Sequence, residues 1–455
     1  MNSPDGFIIP KAMSTQHPDN AFLPSFAAGE EVLKGEDEIT EADFVFSTLG
    51  CDEQMWDYEG KGADIDVVMK LLVAHPSFFR KHRLGKDVFL TIRIPNPSIE
   101  GGMRKRAQEA LHNITTSFDL AKQFYSNTDH APIFEVILPL TTSAEEAHRV
   151  YQYYQSFVAR SYGDGQPIGI PLGEWLGESQ PKRINVISLF EDRASLLHID
   201  ELVGDYLSRL ESMGQMPSHL RVFLARSDPA LNYGLLSATL LNKVALQRLG
   251  SLEQTSGTTL YPIIGVGGVP FRGNFRPGFV DSVLEEYPSV QTFSIQSSFK
   301  FDNMPGVVKT EIQKIKNHVR APASQIDEER AIELMDRYTT LYQQQVERLA
   351  PFVNSVAPLI PRRRDRRLHI GLYGYSRSVG EPIGNKAIQL PRAIGFCASL
   401  YSLGIPPELL GLGALSKNDV SFLETVYPHF INDIVAAGHF VNEDNFRNLL
   451  DDETL

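Results

Sequence analysis

The chain has 455 residues, a formal net charge of −13 and two cysteines, Cys51 and Cys397. That length buries a large core, as one big α/β domain or as two or three smaller ones. The acidic balance argues against general nucleic-acid binding, which needs a basic surface. Two isolated cysteines make neither a disulfide framework nor a zinc site. The first residues, MNSPDGFIIPKAM, lack the basic start and apolar core of a signal peptide. No apolar run approaches the roughly 20 residues that cross a bilayer. A cytoplasmic protein without membrane or nucleic-acid partners is therefore expected.

Residues 1–40 read as an irregular segment carrying His17 within MSTQHPDN, a turn ahead of a helix. A rhythm of apolar runs follows. The first predicted strand is Phe44–Leu49, leading into Cys51, Asp52 and Glu53, with a helix near Ile65–Ala74. Asp87–Ile94 is the second strand and ends at Arg93; Met103–Tyr125 is helical. Ile133–Leu140 is the third, ahead of a helix from Ala144 to about Val158. Asn185–Phe190 and Leu220–Ala225 are the fourth and fifth, ending at Glu191 and at Arg226, Ser227 and Asp228.

The sixth strand, Tyr261–Ile264, runs into Gly265, Gly267, Gly268, Arg272, Gly273 and Arg276. Glycines there allow close backbone approach to a ligand, and two arginines offer planar forks for phosphate or carboxylate. An ordinary strand-ending turn with solvated arginines fits those residues equally well. The loop is expected to be mobile, because glycines cost entropy to order. Gln291–Ile295 is the seventh strand; the helical stretch Ser324–Val353 precedes the eighth, Leu368–Tyr373, which leads to Arg377. The remainder is helical from near Pro391.

Strands that alternate with helices imply parallel βα units, and eight of them imply a closed barrel. We read an α/β fold, a TIM-type (β/α)8 barrel with additional, mainly C-terminal helices. It is one domain over 1–455: a segment 1–40 carrying His17, barrel strands and helices over 41–377, and a helical region over 378–455. Ligand chemistry belongs at the C-terminal ends of barrel strands. Glu53, Arg93, Thr141, Glu191, Asp228, Arg272, Lys300 and Arg377 are therefore expected at one mouth. The basic run Arg362–Arg367 precedes the eighth predicted strand, so it is expected on the opposite face, as subunit contacts or solvated charge.

Glu191 and Asp228 end consecutive predicted strands, a possible oxygen-ligand set for Mg²⁺ or Mn²⁺. Helix caps or arginine pairs explain two such carboxylates as readily. With several arginines around them, the residues point to a metal-dependent barrel enzyme acting on a small phosphorylated acid.

Several stretches in order, MSTQHPDN, CDEQMWDYEGK, EVILPLTTSAEE, ISLFED, RSDPALNYG and LPRAIGFCASLYSLGIPPELLGLGAL, resemble phosphoenolpyruvate carboxylase of the short, archaeal type. By resemblance to motifs of the longer carboxylases, His17 matches the catalytic histidine, and Glu191 and Asp228 match the metal ligands. Arg272 matches the second arginine of a mobile glycine loop, and Val266 stands where the first would be, leaving Arg276 to supply that charge. Arg377 and Arg392 match catalytic arginines, and Arg93 an arginine ending an earlier strand. A lysine that follows the metal aspartate in the long form has no counterpart here, and its allosteric aspartate site is not recognisable.

The resemblance implies Mg²⁺-dependent carboxylation of phosphoenolpyruvate by bicarbonate to oxaloacetate and phosphate, through carboxyphosphate and a metal-stabilised enolate. It further implies that His17, Arg272, Arg377 and Arg392 are catalytic, that Arg93, Gly267, Gly268 and Arg276 bind substrate, and that the chain forms a homo-oligomer, a tetramer in this family. A barrel lyase or aldol-type enzyme that uses a metal-bound enolate without bicarbonate is the alternative.

Overall fold

The computed structural model describes residues 8–27, 32–59, 62–126, 130–159, 177–365, 376–379 and 388–449, with backbone alone for 376–379 and 388. Eight parallel strands close a barrel in chain order: β1 (Ala12–Ser14), β2 (Glu53–Asp57), β3 (Phe89–Arg93), β4 (Glu135–Leu138), β5 (Asn185–Phe190), β6 (His219–Ala225), β7 (Thr259–Gly265) and β8 (Thr292–Ile295). β1 pairs with both β2 and β8 and so completes the ring. The fold is therefore the expected TIM-type barrel, with helices around it and a run of further helices after β8.

Six predicted strands coincide with β3 to β8; the first and the eighth do not. Phe44–Leu49 is helical, the end of the helix Glu36–Phe44 and a π-helical turn over Val45–Leu49. Ile39, Ala42, Val45, Phe46 and Leu49 are the buried apolar positions of this helix and turn, which is helical spacing rather than strand alternation. The predicted eighth strand, Leu368–Tyr373, lies outside the described residues, and the barrel closes without it. Its two missing members are β1, only three residues long, and the polar β2. A short antiparallel pair, β9 (Ser376–Val379) and β10 (Ile388–Pro391), follows the barrel.

Side chains fill the barrel interior in layers. An apolar layer includes Met13, Met55, Ile137, Ile187 and Ile263. Towards the N-terminal ends of the strands lies a polar one, with a residue from each of β2, β4, β6 and β8. Arg221 donates to Glu53 at 2.8 and 2.6 Å, to Glu135 at 2.8 Å and to Thr292 at 3.2 Å. Burial opposes the guanidinium's charge, but Glu53 and Glu135 outweigh it and raise its pKa. Glu53 thus belongs to the barrel floor, not to the mouth where the sequence led us to place it, because β2 starts at this residue instead of ending before it.

Arg221→Met leaves those two carboxylates buried without a cation. We expect a stability loss of about 3–5 kcal/mol by denaturant titration, and a smaller loss when Glu53→Gln is added. A single variant as stable as the wild type would show that this ion cluster holds nothing together.

Candidate active site

The segments leaving the C-terminal ends of the strands enclose a cavity of about 400 Å³. His17, Arg93, Glu191, Asp228, Arg272 and Arg392 all line it. His17 is three residues past β1, so the segment read as irregular contains a barrel strand and delivers His17 to the mouth. Its Nδ1 lies 2.9 Å from Thr15 Oγ1. Lys300 fixes that segment from beneath. Wholly buried, it donates to Thr15 O at 2.8 Å, Ser14 Oγ at 3.0 Å and Glu41 at 2.6 Å. Burial lowers the Lys300 pKa, and Glu41 opposes that shift.

Glu191 directly follows β5, and Oε2 of its carboxylate accepts the Leu140 N–H at 2.8 Å. Asp228 stands in the first turn of the short helix Ser227–Tyr233 after β6. Arg93, at the end of β3, is buried and held by two carboxylates. It meets Asp57 at 2.9 and 2.6 Å and Glu59 at 3.0 Å. Burial works against its charge, but Asp57, Glu59 and then Glu191 raise its pKa.

The glycine loop is folded tightly on itself. Gly267 N donates to Arg272 O, Asn274 N to Val269 O and Phe275 N to Gly267 O, at 2.7 to 3.0 Å. Arg272 is buried. It pairs with Asp19 at 2.9 Å, donates to Ser227 Oγ at 3.1 Å, and also bonds Gln296. One guanidinium thus links the segments after β1, β6 and β8, and its partner Ser227 directly precedes Asp228. The glycines make room for protein atoms. A Cβ on Gly267 would lie 2.8 Å from Arg272 Cζ, and one on Gly268 would lie 2.7 Å from Ser298 Oγ.

Arg276 is not brought into this cavity. It stacks on Phe279 at 4.0 Å and, with Gly268, lines a neighbouring cavity of about 600 Å³ that shares Arg272. Val266 is wholly buried. Arg377 is placed by its backbone in β9, while its side chain is outside the described residues.

The basic run is where the sequence reading fails most clearly. Arg362, Arg363 and Arg364 line the same cavity as His17 and Asp228, on the face opposite to the one expected. The reason is topological: the barrel is already complete at β8, so this run follows the long helix Glu328–Val356 and crosses back over the mouth. Arg366 and Arg367 lie outside the described residues. The partners Asp19, Asp57 and Glu59 were also missed. They stand in MSTQHPDN and CDEQMWDYEGK, stretches conspicuous in the sequence, but nothing in their local pattern names the arginines they hold.

A family model described as phosphoenolpyruvate carboxylase matches residues 9–455. The chain is 48% identical over 437 residues to phosphoenolpyruvate carboxylase of Methanothermobacter thermautotrophicus, covering 96% of this chain and 88% of that one. It is 50% identical over 433 residues to the Pyrococcus abyssi protein of the same name, covering 95% and 88%. With the Halobacterium salinarum protein of that name it shares 45% over 452 residues, covering 98% and 89%. With this match over nearly the whole chain and relatives 45–50% identical, the chain belongs to the phosphoenolpyruvate carboxylase family.

Proposed function

We propose that this chain carboxylates phosphoenolpyruvate with bicarbonate, giving oxaloacetate and inorganic phosphate as a carbon–carbon lyase. The observation that carries this reading is that His17, Glu191, Asp228, Arg272 and Arg392 line one cavity in a chain of this family. Two carboxylates at neighbouring strand ends fit a hard divalent cation, which takes one or two carboxylates and completes its shell with water and substrate oxygen. Glu191 and Asp228 would hold Mg²⁺ or Mn²⁺, with Leu140 N–H orienting the first. When bound, the cation supplies Lewis-acid polarisation of substrate oxygen.

The remaining work falls to the protein's own side chains. Arg392, Arg93 and Arg377 attract the substrate's phosphate and carboxylate. A bicarbonate oxygen attacks phosphorus and the bond from phosphorus to the enol oxygen breaks, giving carboxyphosphate and the enolate. This transfer needs positioning and charge neutralisation more than covalent help. Arg272 supplies positive charge beside the transferred group. The reading requires the tautomer in which His17 Nδ1–H donates to Thr15 Oγ1, 2.9 Å away, so that Nε2 would carry the basic lone pair. There it takes the carboxyl proton of carboxyphosphate; CO₂ and phosphate separate, and the enolate carbon attacks the CO₂. Leu189, Phe223 and Ile394 give the cavity apolar walls that keep water from the enolate.

A coupled assay for oxaloacetate tests the reading. Product is expected only with phosphoenolpyruvate, bicarbonate and Mg²⁺ or Mn²⁺ together. Cleavage of phosphoenolpyruvate that ignores bicarbonate would favour the lyase alternative.

Gly267→Ala tests the loop. The added Cβ pushes on the far end of the Arg272 side chain, whose buried pair with Asp19 is then disturbed, so some stability is lost and unfolding is measured beside turnover. The Arg272 guanidinium must leave its seat between Asp19 and Gln296. Misplacing a catalytic group by this much is expected to lower kcat roughly ten- to hundredfold. A folded variant with wild-type kcat would remove Arg272 from the chemistry.

A further inference from the structure

We infer that Arg362 binds an anionic group of phosphoenolpyruvate at the rim of the cavity, an assignment that rests on the carboxylase reading above. A doubly charged phosphate and a carboxylate entering an acidic protein draw on every cation at the mouth, and an arginine whose N–H groups are uncommitted offers them the most. Most arginines on this cavity already donate to protein partners. Arg93 and Arg272 hold carboxylates. Arg226 donates to Phe271 O at 3.1 Å and to Thr239 Oγ1 at 2.8 Å. Arg364 is buried against Glu38 at 2.9 Å and Glu41 at 2.5 Å. Arg363 donates to Ala21 O at 2.7 Å. Of the described arginine side chains on the cavity, those of Arg362 and Arg392 have no hydrogen bond or ion pair. Arg392 already has a role by the match to its motif; Arg362 has none.

The neighbours of Arg362 hold the segment in place. Leu33 N donates to Arg363 O, and Asp365 N to Leu33 O, both at 3.0 Å. Those bonds and the Arg364 ion pairs fasten the three residues that follow Arg362, while Arg362 itself stays exposed on the cavity rim. A backbone anchored directly after Arg362 holds one uncommitted guanidinium at the rim, and its planar fork suits bidentate phosphate or carboxylate. Arg363 also ties the segment to residues 20–21, a few residues from His17. Substrate held at Arg362 is thus held against the same frame that carries the base.

Steady-state kinetics of the wild type, R362Q, R362K and R447Q test the assignment. Arg447 is an exposed arginine on the last described helix and controls for net charge. R362Q is expected to raise KM for phosphoenolpyruvate about tenfold with kcat within about threefold, since the lost contact serves binding of substrate and transition state alike. KM for bicarbonate should not move. R362K should lie between, because it keeps the charge but not the fork, and R447Q should match the wild type. KM for phosphoenolpyruvate within about twofold of wild type in R362Q, or an equal rise in R447Q, overturns the assignment and leaves the carboxylase reading standing. A wild type that makes no oxaloacetate overturns the reading and this assignment with it.

Discussion

His17→Asn is expected to release phosphate from phosphoenolpyruvate in a bicarbonate-dependent way while delivering pyruvate in place of oxaloacetate. In the proposed reaction, attack on phosphorus draws on the cation and the arginines, and none of these is touched. Asn keeps roughly the size of the imidazole and can still hydrogen-bond near Thr15, but it cannot accept the proton of carboxyphosphate. Without that base CO₂ is not released beside the enolate, which is then protonated by solvent. Removing a positioned base typically costs 10²–10⁴-fold, so oxaloacetate formation should fall by about that factor. Phosphate release should fall far less.

A purely structural His17 predicts otherwise. Losing its contact with Thr15 would cost roughly 1–3 kcal/mol of stability, and every folded molecule would still make oxaloacetate. The ratio of oxaloacetate to phosphate at saturating bicarbonate separates the two. A variant ratio equal to that of the wild type removes His17 from the mechanism.

Asp228→Asn is expected to raise the Mg²⁺ concentration for half-maximal activity by at least about a hundredfold, since even outer-shell partners of a ligand cost ten- to a hundredfold. Asn is isosteric and keeps one carbonyl oxygen but loses the charge that a hard cation seeks. With Glu191 still in place, saturating Mg²⁺ should restore part of the rate. The side chain stands in the first turn of Ser227–Tyr233, where the helix end favours a carboxylate in any case. Thermal unfolding must therefore be measured beside the titration. An unchanged Mg²⁺ dependence in a folded variant would leave Asp228 as a helix-end charge and nothing more. Direct titration of Mn²⁺ into wild type and variant gives the same comparison without turnover.

The structure adds a second role for the glycines of the loop, beside the close ligand approach expected from the sequence. Here Gly267 yields its side-chain space to the Arg272 guanidinium, and the turn is bonded internally from Gly267 to Phe275. Pre-organisation of one arginine between Asp19, Ser227 and Gln296 is the physical content of the motif in this state.

Local sequence determined much of this protein. β3 to β8 are readable because each is an apolar run buried on both faces, bounded by turn residues and followed by a helix. The rule that strand ends carry chemistry then brought Glu191, Asp228, Arg93 and Arg272 to one mouth. His17 was legible through its motif, although the strand before it was not. β1 is three residues long and carries too little pattern to register. β2 reads EQMWD and is wholly buried, with Glu53 and Asp57 neutralised by Arg221 and Arg93 from other strands. Burial of that kind depends on partners 168 and 36 residues away, which no local window contains. The same limit hid Arg362. Its place over the mouth follows from barrel closure at β8, and only the pairing of β1 with β8 decides on which face the chain continues.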